Sequence, residues 1–163
     1  MDFNTFLSRN KVILLDGAMN YHLVILKKPY LDAILEGRKQ VESRFSRAKP
    51  VAFGRLVVGD RLFLKQSSGP VCATARVAAV ESFEALTPPK IIGLKQQYNR
   101  HILGSDEYWR SKSDSKFGLL VWLKDVRRIE PIQIAKKDWR AWVILAENRD
   151  FGLLRPGAVR EIG

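Results

Sequence analysis

The densest chemistry in the sequence lies in two neighbouring stretches, Lys28-Pro29-Tyr30 and Gly37-Arg38-Lys39-Gln40-Val41-Glu42-Ser43-Arg44. A lysine and a glutamate three residues apart supply an ammonium that can stabilise developing negative charge or move a proton, and a carboxylate that can act as general base on water. Lys28, Arg38, Lys39 and Arg44 are of the types that hold phosphates, Tyr30 can stack on a base or donate its hydroxyl, and Glu42 can orient the lysine or accept from a base edge. In a regular strand Glu42 and Arg44 share a face and Lys39 falls on the other. A twist or bulge at the strand start would bring Lys39 beside Glu42. From spacing alone the same residues also fit a surface ion-pair ladder, worth about 0–1 kcal/mol per pair.

These residues must be positioned by the elements around them. His22 to Leu26 is a short apolar run suited to a buried strand. Pro29 suits a helix start, Leu31, Ile34 and Leu35 share a helical face, and Gly37 can take the left-handed stop. Lys39 to Phe45 then returns as a strand, and 47–59 reads as a loop. The alternation of 61–65, the turn residues Ser67-Ser68-Gly69-Pro70 and the run from Val71 to Val80 predict a hairpin. Pro88-Pro89 opens a helix carrying Ile91, Leu94, Tyr98 and Ile102 and ended by Gly104, and Ser105 caps a shorter helix with Tyr108 and Trp109. Phe117 to Ile129 is a strand broken by Pro131, and Trp139 to Leu145 is a last apolar segment. Five or six strands paired by hairpins, with a helical insertion, favour an α+β fold on a small mixed or antiparallel barrel over a doubly wound parallel sheet.

The chain has 163 residues, with 28 Lys and Arg against 17 Asp and Glu, a net charge of +11. One domain of this length has room for an ordinary core, and 46% hydrophobic residues exclude a disordered chain. Both ends are neutral, so the positive excess lies between 21 and 149, with no run of five like charges. That pattern describes a folded basic surface, either a solvated face or a phosphate-binding one. The sole cysteine, Cys72, cannot form an internal disulfide and fits a core position, and Cys72, His22 and His101 lack metal-ligand spacing. No metal and no cofactor are expected. With no apolar run of signal-peptide or membrane-span length, the expected location is the cytoplasm, with no membrane partner.

Two further aromatics are flanked by cations: Phe63 shares a strand face with Arg61 and Lys65, and Trp122 with Lys124. Such an arrangement suits stacking on an unpaired base between two held phosphates, and it equally suits a core aromatic whose cationic neighbours reach solvent. Trp139 and Trp142 read as core or lid residues, and His101 as a surface histidine.

The sequence Gly37-x-Lys39-x-x-Glu42-x-Arg44, preceded by an apolar strand, Pro29-Tyr30 and an apolar helix, resembles the signature of the ASCH domain of the PUA-like superfamily. Gly59-Asp60 before a strand, the long strand from Val71, the helical insertion and the tryptophans at 139 and 142 follow in the same order. The resemblance spans residues 21–147, leaving 1–20 as an N-terminal extension and 148–163 as a tail. It implies a small β-barrel with peripheral helices and a cleft beside the motif, and a module that binds single-stranded or modified RNA or another nucleic acid there. It also admits a second class of function, since some relatives are hydrolases, either ribonucleases or amidohydrolases acting on N4-acetylcytidine. Their catalytic lysine matches Lys39, but their nucleophilic threonine falls at Glu42, which cannot replace an activated hydroxyl and would serve instead as a base. An acidic protein is the remaining alternative partner, and the sequence does not fix the oligomeric state.

Overall fold

The structure is a computed structural model that describes residues 20–134, 140–145 and 159–162. Among these, the order is β1 (Tyr21–Leu26), α1 (Lys28–Leu35), β2 (Val41–Ser46), β3 (Arg61–Gln66), β4 (Val71–Phe83), α2 (Pro88–Ile102), α3 (Asp106–Ser111), β5 (Phe117–Ile132) and β6 (Trp142–Ile144). The expected α+β architecture is present as one curled six-stranded sheet, a half-barrel, in the order β2-β5-β4-β3-β1-β6. The pairings are antiparallel except that of β1 with β3, which is parallel. Three slips of register between β4 and β5 supply the local twist that curls the sheet. Trp139, and the proposed N-terminal extension and tail apart from residue 20 and 159–162, lie outside the described residues.

The sheet is covered on both faces, which is why successive residues 23–26 of β1 and 62–64 of β3 are apolar. Val24, Leu26, Leu62 and Leu64 share one face, where Leu31 and Ile34 of α1 close the core. Leu23 and Phe63 point the other way, into a second cluster with Val71, Ile129, Val143 and Leu145. A third cluster seats α2 and α3 on β2 and β5 through Val41, Phe45, Ile91, Leu94, Trp109 and Leu120.

Two expected boundaries are corrected. The left-handed stop after α2 is taken by Leu103, at φ +61°, and not by Gly104. Gly104 serves close approach instead: a Cβ there would stand 2.7 Å from the Tyr108 ring and 2.8 Å from the Trp109 indole nitrogen. Pro131 does not break β5, which runs on to Ile132. Pro131 falls where the pairing of β4 with β5 slips, between Val71 opposite Ile132 and Ala73 opposite Arg128, and such a bulge tolerates a missing N–H.

Candidate functional site

The site is assembled at the exit of α1. Gly37, at φ +79°, turns the chain so that the N–H groups of Arg38 and Lys39 both return to the carbonyl of Ala33. Gln40 then joins the helical insertion through its N–H to the His101 carbonyl, and regular pairing begins only at Val41. Lys39 therefore stands before the alternating part of the strand. Its ammonium donates to the carbonyl of Ile102 at 2.6 Å, at the negative end of the α2 dipole, and lies 3.6 Å from Glu42 Oε1 and 5.1 Å from the Tyr30 ring centre. Both partners are buried, Lys39 at 3% and Glu42 at 7% exposure, so this is no surface ion-pair ladder. Burial lowers the Lys39 pKa below its ordinary value, against the opposing pull of Glu42.

Strand alternation places Arg44 on the Glu42 face. Its Nε donates to Glu42 Oε2 at 2.7 Å, while Nη2 donates to the Ile25 carbonyl at 3.1 Å and Nη1 to that of Ala141 at 3.5 Å. Since β2 and β6 are the two edges of the curled sheet, Arg44 bridges its open seam, with its guanidinium 5.3 Å from the Trp142 ring centre. Trp142 is held from behind: its indole N–H donates to His22 Nδ1 at 3.0 Å, and His22 Nε2 lies 2.9 Å from Asp60 Oδ2.

At this seam opens a cleft of about 720 Å³, lined by Tyr30, Glu42, Ser43 and Arg44, by the β3–β4 turn at Ser67 and Ser68, and by α3 through Tyr108 and Lys112. Lys27, Lys65 and Arg140 add further positive charge, against one further carboxylate, Glu107. The hydroxyls of Ser43 and Tyr108 are 2.6 Å apart, and burial raises the Tyr108 pKa well above its ordinary value. Burial, Arg44 and Lys27 together lower the Lys112 pKa, as expected where cations converge on one space.

The structure thus brings Lys39, Glu42, Arg44 and Tyr30 together and leaves the other sequence candidates elsewhere. Lys28 and Arg38 are exposed and paired with Asp32 and Glu36, outside the cleft lining. Phe63 is completely buried, so it offers no face to a base; its side of β3 is covered by the second core cluster. Trp122 packs against Tyr98 and His101 under the helical insertion, away from the cleft lining. Sequence reasoning missed Ser43, Tyr108 and Lys112. The two hydroxyl partners are 65 residues apart, and no local pattern links them. Among the described residues, no group of His, Cys, Asp and Glu is placed to hold a metal ion, and no helix is long and apolar enough to cross a membrane.

The fold and the site together define an α+β half-barrel module with a helical insertion and a Lys–Glu–Arg cluster at its seam. The ASCH domain sequence profile matches residues 24–146, and the chain belongs to that family. Its fold is similar to the crystal structure of the ASCH protein of Zymomonas mobilis, with a TM-score of 0.66 and 16% identity over 88% of this chain and 98% of that one. Mutant forms of the same protein match with TM-scores of 0.64 and 0.61 at 17% and 18% identity, covering 85% and 78% of this chain and 98% and 89% of theirs. No protein of curated function matches the chain by sequence.

Proposed function

We propose that the chain is an RNA-binding module that takes an unpaired, ordinary or modified, nucleotide into the seam cleft. The observation that carries this reading is the buried Lys39–Glu42–Arg44 cluster opening on a cleft with a cationic rim. Lys27, Lys112 and Arg44 would meet phosphate oxygens, Tyr30 and Tyr108 would contact the base, and Glu42 would accept from a donor on the base edge. An A-form duplex keeps its bases stacked and unavailable to such a cleft, so single strands are preferred. Titration of single-stranded and duplex RNA over a salt series tests this. Affinity should favour the single strand and fall steeply with salt, and absence of binding at low salt overturns the reading. Equal salt-sensitive binding of an acidic protein, with no preference for RNA, would also overturn it.

A hydrolytic reading is favoured by one specific observation, the buried lysine of lowered pKa beside a carboxylate and a hydroxyl pair. Lys39 would move a proton or stabilise developing charge, and Glu42 would be the base on water. The wild type would then turn over RNA or an acylated cytidine, and Lys39→Ala and Glu42→Ala would each abolish it. Turnover that survives both substitutions would place the activity elsewhere.

A further inference from the structure

We infer that Asp60, His22 and Trp142 form a buried positioning relay that sets Arg44, and through it Glu42, in the geometry the cleft uses. His22 and Asp60 are both completely buried, so neither can touch a ligand. An indole N–H only donates, so His22 Nδ1 must accept from Trp142, and the ring carries its hydrogen on Nε2, pointing at Asp60. Asp60 is fixed in turn by two backbone donors, Asn20 N–H on Oδ1 at 2.8 Å and Val57 N–H on Oδ2 at 3.0 Å. The tautomer of one histidine is thus selected by a carboxylate pinned at the start of β3, and that tautomer leaves one acceptor for one indole.

The consequence is felt at the seam. Trp142 pairs with Val24 of β1, while Arg44 comes from the opposite edge strand and places its guanidinium over the indole ring. A ring tethered by its N–H gives the guanidinium a fixed surface, and the guanidinium then presents Nε to Glu42 at 2.7 Å. Without the tether the ring can turn, the cation–π contact weakens, and Glu42 loses the partner that aims its second oxygen.

The effect on RNA rests on the binding reading above, so the test has an arm that needs no RNA. Trp142→Phe keeps an aromatic ring but removes the indole N–H together with the five-membered ring that carries it, whereas His22→Leu leaves the whole indole in place and removes only its acceptor. In the free protein, each should speed hydrogen exchange of the Arg44 Nε–H, followed by NMR, by about three- to tenfold. Each should also weaken single-stranded RNA binding by about the same factor. Because both variants break one link, the double variant should lose no more than the worse single one. An unchanged Arg44 Nε–H in Trp142→Phe, or losses that simply multiply in the double variant, overturns the relay. If His22→Leu does not fold, an unchanged Arg44 resonance in Trp142→Phe still overturns the relay. Faster exchange in a protein that binds no RNA would sustain the relay and refute the binding reading.

Discussion

Lys39 stands 3.6 Å behind Glu42, which lines the cleft, although one precedes and the other lies within a strand whose regular alternation would part them. The helix exit at Gly37 makes the difference, because it ties the Lys39 N–H back to Ala33 and turns its side chain under the end of α2. Breaking this pair leaves a buried charge with fewer partners. Lys39→Met should cost about 2–4 kcal/mol in urea unfolding, below the cost for a wholly orphaned carboxylate because Arg44 still reaches Glu42.

The same pair has a signature in pH. The folded protein holds the Lys39 pKa below its ordinary 10.5, so between the lowered value and 10.5 the unfolded chain binds more protons and stability rises with pH. The wild type should therefore gain stability relative to Lys39→Met as pH climbs towards 10.5. Tyr108 works in the opposite sense. Its pKa is raised above 10, the folded chain keeps the phenol proton that the unfolded chain releases, and stability falls as pH rises past 10. Tyr108→Phe should lack that decline, in unfolding curves compared at several pH values.

Close packing under the helical insertion predicts a third outcome. Gly118 of β5 sits directly across from Phe45 of β2, and a Cβ there would come within 2.6 Å of the phenylalanine ring, which is backed by Trp109. Gly118→Ala should cost about 1–3 kcal/mol in thermal or urea unfolding, since the ring has packed neighbours and little room to yield.

The cationic residues divide into two groups. Lys112 faces the cleft with Arg44 and Lys27, whereas Lys28 and Arg38 are spent in exposed pairs. Lys112→Ala should reduce the slope of log affinity against log salt by about 0.7, one single-strand phosphate contact. Lys28→Ala and Arg38→Ala should leave that slope alone and change stability by no more than about 0.5 kcal/mol. Titrations of the three variants across the same salt range check both statements.

Much of this was legible in the sequence, and the reasons are local. The strand, helix and glycine stop around residues 21–37 follow from apolar spacing and turn chemistry, and Glu42 and Arg44 share a face because strands alternate. Ser105 caps α3 as its type and position predict, accepting from the Tyr108 N–H at 3.0 Å. What local pattern does not carry is which face of a strand the rest of the chain will cover. Phe63 looks amphipathic between Arg61 and Lys65, yet residues as distant as Val143 bury it. In the same way Tyr108 and Lys112 reach the cleft only because α2 and α3 fold back over β2, and Trp142 meets Arg44 only because the sheet curls until its edges face each other.

The most direct test of the account is an NMR titration of the wild-type protein with a short single-stranded RNA at low and then raised salt. Perturbed resonances should concentrate at Tyr30, Glu42, Tyr108 and Lys112 around the seam, and should fade as salt is raised. Perturbations confined to the outer face of α2, or none at low salt, would contradict it.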